Sequence, residues 1–431
     1  MASSSASPPP ASVSVLVVGG GPAGFMAAIA AAEAGVADVH ILEATASPLH
    51  KVLISGGGRC NVTHACWDPR VLSGHYPRGS RALHGPFSRF AAGDAVAWFA
   101  SHGLELVQEA DGRMFPAANR ATAVVAALRA AARRAGVTLH PGVAARDAAV
   151  LPGGGFQLEL KQAGAAATAA ITCRRLVLAT GGHPSGRRFA SQLGHGLVPP
   201  VPSLFTLTLA GDSLPSLAGL VVDPVVLELQ LPGGAAKGRG ERFRQRGPVL
   251  ITHWGLSGPG ILRLTAFAAR ALNDTRYRAE LRVGWCGDRN RADVEALMEQ
   301  ARQQYGRRQL GHARPWPELP SRLWRHLLVQ AGVDPQQRWA ELHKQARVGL
   351  IEALIASRYN VSGRGPFGEE FVTAGGVPLE EVTMSTMESR RCKGLYLVGE
   401  LLDVDGITGG FNFQHCWTSG WLAGQGLMTA S

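Results

Sequence analysis

The chain has 431 residues, 46% hydrophobic and 17% charged, with a formal net charge of +11; this allows a large core and two or three domains. Six scattered cysteines (60, 66, 173, 286, 392 and 416) without C-x-x-C exclude a disulfide framework and suit free thiols in a reducing cytoplasm. The cations are dispersed arginines with only five lysines, so they read as a solvated basic surface rather than a nucleic-acid module.

Residues 1–12 are rich in Ser, Pro and Ala and lack the basic and apolar regions of a signal peptide; a disordered tail is expected. The apolar stretch 13–32 has the length of a membrane span but is broken by three glycines and a proline. It reads instead as a buried parallel strand (Val13–Val18), a turn, and a helix (Phe25–Ala34). Gly19, Gly21 and Gly24 fit G-x-G-x-x-G, with Gly20, Pro22 and Ala23 between them. Gly19 suits a tight turn, Gly21 a close approach to a pyrophosphate, and Gly24 close helix–strand packing. Val39–Glu43 reads as a second strand, and Glu43 stands 19 residues past Gly24, the spacing of a carboxylate on an adenosine ribose.

Lys51–His64 is expected to be a loop whose Gly56, Gly57 and Gly58, flanked by Lys51, Arg59 and Asn61, bring backbone N–H groups and cations to a ligand. Cys60, His64 and Cys66 do not have zinc-site spacing, and no metal is expected. Residues 65–92 are punctuated by Pro and Gly and give no clear element. Asp94–His102 reads as a helix, Leu104–Phe115 as two strands around Asp111-Gly112, Ala121–Ala135 as a helix and Val137–His140 as a strand. Phe156–Lys161 and Thr172–Ala179 frame a hairpin whose second strand runs into Thr180-Gly181-Gly182, which permits close approach to a nucleotide.

Prolines 199, 200 and 202 mark a boundary, and 198–360 is expected to be an inserted region, β-rich and then helical. Leu204–Leu209 and Pro224–Leu231 alternate like strands around a Gly/Lys/Arg loop at 233–240. Gly247–Gly260 reads as a strand followed by a turn and a helix, and 290–357 mainly as helices. A second G-x-G-x-x-G, Gly363–Gly368, is read as a decoy because no apolar strand leads into it. Gly394–Glu400 reads as a strand ending in the Gly399–Glu400 pair, whose carboxylate suits a polyol hydroxyl. Gly409 and Gly410 then open a helix that can approach a flavin ring.

Together Val17–Gly24, Lys51–Thr63, Arg113–Pro116, Ala179–Gly182, Thr252–Pro259, Val372–Val377 and Gly394–Gly420 resemble the BaiN-like (aminoacetone-oxidase-like) family of FAD-dependent oxidoreductases over nearly the whole chain. The resemblance implies an α/β fold. Its Rossmann-like, GR2-type FAD-binding domain is discontinuous (13–197 and 361–431) and is split by an inserted β-barrel-like and helical region. It implies FAD contacts at Gly19–Gly24, Glu43, Ala44, Lys51, Gly57, Gly58, Arg59, Cys60, Asn61, Val143, Ala179, Thr180, Gly181, Gly399, Glu400, Gly409, Gly410, Phe411 and Asn412. The chain departs from the family at His183–Arg188, where a short basic segment replaces a Gly/Ser-rich turn, and at His415, where a bulkier aromatic is usual.

The function implied is a cytoplasmic FAD-dependent oxidoreductase, with NAD(P)H as electron donor and a small organic acceptor such as a conjugated C=C. A flavin oxidase using O2 and a flavin-bearing protein associated with nucleic acid are the alternatives. Cys60, His64 and His415 are candidate proton donors, and none is singled out as catalytic.

Overall fold

A computed structural model describes residues 9–162, 168–232, 243–365 and 372–429. The 233–240 loop and part of the second glycine motif lie outside these residues. Contacts divide the chain into two units, 1–200 with 372–431, and 201–371.

The first unit is built on five parallel strands in the order Leu395–Leu397, Thr168–Leu178, Ser12–Val18, Val39–Glu43 and Thr138–Pro141. The first strand is apolar on both faces because it lies at the centre of a sheet covered on both sides. It begins at Ser12, and the Ala11 carbonyl accepts the Thr172 N–H at 2.9 Å, so the end of the expected tail belongs to the sheet. An antiparallel branch, Val143–Val150 with Phe156–Gln162, joins the long strand Thr168–Leu178. Helix Pro22–Glu33 follows the glycine turn, and the C-terminal helix Phe411–Thr429 packs against it. Small residues allow that contact: a Cβ at Gly420 would lie 2.6 Å from the Ala23 carbonyl oxygen, and one at Gly424 would lie 2.5 Å from Ala30 Cβ.

The second unit holds a seven-stranded sheet in which every pair is antiparallel. Its edge strands, Ser357–Val361 and Gly363–Arg364, are separated by Ser362 alone, so one chain segment closes the sheet into a barrel-like form. A strand, Ser357–Val361, does precede Gly363, but it is not the apolar strand whose absence was noted in the sequence. Its buried Ser357, Tyr359 and Val361 alternate with exposed Arg358 and Asn360, a period-two pattern without an apolar run. Gly255–Ser257, expected to be a turn, is a further strand of this sheet. Helices Pro259–Asp274, Arg291–Tyr305, Ser321–Gln330 and Lys344–Ala356 supply the rest of a core that includes Trp285, Trp316, Trp324 and Trp339. Among the described residues no helix is long and apolar enough to cross a membrane.

Candidate functional site

Four adjacent parallel strands of the first unit end at one cavity of about 670 Å³, lined there by Val18, Glu43, Ala179 and Val398. The carboxyl edge of such a sheet is where open α/β folds bind ligands.

The glycine turn forms one wall. Gly19 has φ +116°, and a Cβ there would lie 2.3 Å from the Ala179 carbonyl oxygen. A Cβ at Gly24 would lie 2.0 Å from the Gly19 carbonyl oxygen, so that glycine sits behind the cavity and lets helix meet strand. A Cβ at Gly21 would meet nothing within 4 Å; its bare backbone faces the cavity. The turn is tied to the second strand by Glu43, whose Oε2 accepts the Gly20 N–H at 2.9 Å. Glu43 Oε1 accepts the Thr45 N–H and Oγ–H, each at 2.8 Å.

Also at the cavity, Lys51 Nζ donates to Glu400 Oε2 at 3.0 Å, and the Thr373 N–H donates to Glu400 Oε1 at 2.9 Å. Lys51 comes from a short helix, His50–Ile54, where a loop was expected; it is followed by a 3-10 turn at Ser55–Gly58. Ala44, Val143, Ala179, Thr180, Gly181 and Gly399 also line the cavity, as do Gly19–Ala23.

Gly57, Gly58, Arg59, Cys60, Asn61, Gly409, Gly410, Phe411 and Asn412 do not line it. Gly57 and Gly58 are exposed, and a Cβ at either would meet nothing within 4 Å, whereas the others pack against one another and their neighbours. Gly410 has φ +95°, and a Cβ there would lie 2.6 Å from the Thr63 carbonyl oxygen and 2.9 Å from Asn61 Oδ1. Phe411 stacks under His64 and His75 at 4.7 and 4.4 Å between centroids. Asn412 exchanges hydrogen bonds with the Gly406 backbone at 2.8 and 2.9 Å. Arg59 turns to Glu109, to Asn119 Oδ1 at 2.6 Å and to the face of Phe115 at 3.9 Å. Asn61 Oδ1 is buried without a hydrogen-bond partner.

None of the candidate proton donors lines the cavity. Burial pushes the Cys60 thiol up to about 11 and holds His415 down at about 4. Burial also lowers His64, although the Gly409 carbonyl at 3.0 Å opposes the shift. Cys416, which sequence reasoning did not single out, does line the cavity, and burial pushes its thiol up to about 12. Among the described residues no three His, Cys, Asp or Glu side chains are placed to hold a metal ion.

Sequence reasoning also missed Thr45, Ser47, Leu49, His50, Ala144–Arg146, Pro184, Ser185, Arg188 and Phe189 as lining residues. One signal was present: the short basic segment read at His183–Arg188 contributes His183, Pro184, Ser185 and Arg188 to the cavity wall.

The HI0933-like protein Rossmann domain matches residues 13–426. A 3-dehydro-bile acid delta(4,6)-reductase from Clostridium scindens is 30% identical over 428 residues, covering 95% of this chain and 97% of that protein. A ribosomal RNA dihydrouridine synthase from Escherichia coli is 29% identical over 430 residues, covering 96% and 98%. Among solved structures, 3-ketosteroid delta1-dehydrogenase from Sterolibacterium denitrificans aligns with a TM-score of 0.52 at 12% identity, over 98% of this chain and 100% of that one. The open conformation of a flavocytochrome c3 fumarate reductase aligns at 0.50 and 16% identity, over 98% and 79%. At these identities the structures speak to fold alone. The family read from the motifs is thus the one found, and the chain belongs to the HI0933-like family as an FAD-dependent oxidoreductase on an FAD-binding Rossmann fold.

Proposed function

We propose that the chain carries out NAD(P)H-driven hydride transfer, through FAD, to a C=C bond conjugated with a carbonyl in a small organic substrate. The observation that carries this reading is the cavity at the carboxyl ends of the parallel strands, lined by bare Gly21 and by the Lys51–Glu400 pair. The residues fit FAD. The Gly21 backbone and the start of helix Pro22–Glu33 present N–H groups and a partial positive charge to a pyrophosphate. Glu43 accepts three protein donors and keeps a lone pair on Oε2 for a ribose hydroxyl, and Glu400 and Lys51 can bond polyol hydroxyls. Gly57–Asn61 and Gly409–Asn412 lie outside the cavity lining and are given no contact with the cofactor in this reading. When bound, FAD supplies the hydride chemistry.

The relatives' names support the substrate class. A delta(4,6)-reductase and a dihydrouridine synthase are both named for saturating a C=C bond. The second name, with the +11 charge, favours one further reading: the same reduction on a uracil base in RNA. The free thiols suit a reducing cytoplasm.

The test is anaerobic mixing of the purified yellow protein with NADH and with NADPH. The reduced protein is then offered a polycyclic enone or a uridine-containing RNA. Bleaching by one nucleotide and recolouring by one acceptor class is expected. A colourless protein that cannot be loaded with FAD would overturn the reading, and rapid recolouring by O2 alone would favour an oxidase.

A further inference from the structure

Helix Pro184–Gln192 meets an irregularity in the neighbouring strand. Strands Val143–Val150 and Phe156–Gln162 pair Ala145 with Leu160 and Asp147 with Glu159, so the register shifts and Arg146 is the extra residue of a bulge. A bulge leaves backbone groups outside the ladder and re-aims the side chain. The Arg146 carbonyl accepts Arg188 Nη2 at 2.8 Å. The Arg188 guanidinium also lies 5.1 Å from the ring centroid of Phe189, itself 1% exposed. Both arginines are exposed and line the cavity, and neither has a carboxylate partner among the described residues. One of Arg188's five N–H donors is engaged by that carbonyl, which fixes the group while the others stay available. The acids lining the cavity are Glu43 and Glu400, and each already accepts protein donors.

We propose that Arg146 and Arg188 form a cationic rim that binds the phosphates of the cofactor and sets its affinity. The inference rests on the FAD reading. A fixed guanidinium gives charge-assisted, bidentate hydrogen bonds to a phosphate, and at an exposed rim that attraction is screened by salt.

The experiment titrates full-length protein, stripped of flavin and reloaded, with FAD and separately with ADP, from ~50 to ~500 mM KCl. Wild type, Arg188→Ala, Arg188→Lys, Arg146→Ala and a control, Arg307→Ala, whose side chain is exposed and does not line the cavity, are compared, with circular dichroism melts to confirm folding. Arg188→Ala should weaken both ligands about tenfold at low salt, or ~1.4 kcal/mol, with the difference closing as salt rises. Arg146→Ala should do the same to a smaller extent. Arg188→Lys should retain part of the affinity, and Arg307→Ala should match wild type.

Unchanged FAD and ADP affinity in Arg188→Ala overturns the proposal and leaves the FAD reading standing. So does a loss that is independent of salt, because it would report lost packing on Phe189. If Arg188→Ala does not fold, the salt dependence of Arg146→Ala and Arg188→Lys decides. A wild-type protein that binds neither FAD nor ADP overturns the cofactor reading and this one with it.

Discussion

Lys51 Nζ stands 3.0 Å from Glu400 Oε2 and joins positions 349 residues apart in the chain. Lys51 is 61% exposed and Glu400 18%, so the pair adds little to stability. Its consequence is for the ligand, because both residues line the cavity. Glu400→Gln keeps the side-chain shape and an acceptor for the Thr373 N–H but removes the charge. FAD affinity is expected to fall about fivefold to tenfold, with little change in melting temperature. A fluorescence titration beside a thermal melt checks this; unaltered affinity would remove Glu400 from the site.

The glycines of the first turn should separate folding from binding. At Gly19 both φ +116° and the Ala179 carbonyl 2.3 Å from a Cβ oppose any side chain. Gly19→Ala is therefore expected to cost about 2 kcal/mol or more of stability. At Gly21 a Cβ meets no protein atom within 4 Å, so Gly21→Ala should fold normally and lose flavin. Denaturation midpoints and the flavin-to-protein absorbance ratio read the two effects. Equal destabilisation by both substitutions would contradict the assignment of Gly21 to the ligand.

His415 should leave a mark on stability against pH. Burial holds it at about 4 in the folded chain against 6.5 for the free side chain. Between those values the unfolded chain binds the extra proton. The contribution is thus complete above pH 6.5 and is lost as pH falls toward 4, an effect on the order of 3 kcal/mol. His415→Phe, which removes the titrating ring and keeps an aromatic side chain there, should flatten that part of the curve. Other histidines lowered by burial, such as His64 and His140, retain some slope. Urea unfolding at pH 4.5, 5.5 and 7 gives the comparison, and an unchanged slope in the variant would refute it.

Arg78 and Asp405 form a bidentate pair in which the carboxylate is wholly buried and Arg78 is 11% exposed. Arg78→Met leaves that charge without its main partner and should cost about 3–5 kcal/mol. Arg78→Met with Asp405→Leu should recover most of the loss. Denaturant unfolding of the single and double variants tests the coupling, and an additive double variant would argue against it.

Local physics made much of the first unit legible. Strand Val39–Glu43 has the bounds read from its apolar run. The Asp111–Gly112 turn does join antiparallel strands, Leu106–Gln108 and Arg113–Pro116. Helix Ala121–Arg134 follows its amphipathic period. Strand Val143–Val150 was not legible, because its Ala, Arg and Asp residues carry little β propensity and their pairing is bulged. The short helices Pro69–Ser73 and His84–Arg89 are one or two turns long and are held by tertiary contacts rather than by propensity.

By itself the sequence determined the strand–glycine–helix unit, the carboxylate at the end of the second strand and the family. Each depends on sterics and hydrogen bonds within a few residues, or on motifs that recur in order along the chain. Only the tertiary structure decided which segments share the cavity. It brought Lys51 to Glu400 and Arg188 to Arg146, and packed Gly410 on Thr63 away from the cavity. The physical reason is strand order. Residues 395–397, 168–178, 12–18 and 39–43 become neighbours through crossovers, so their carboxyl ends converge although they are far apart in sequence.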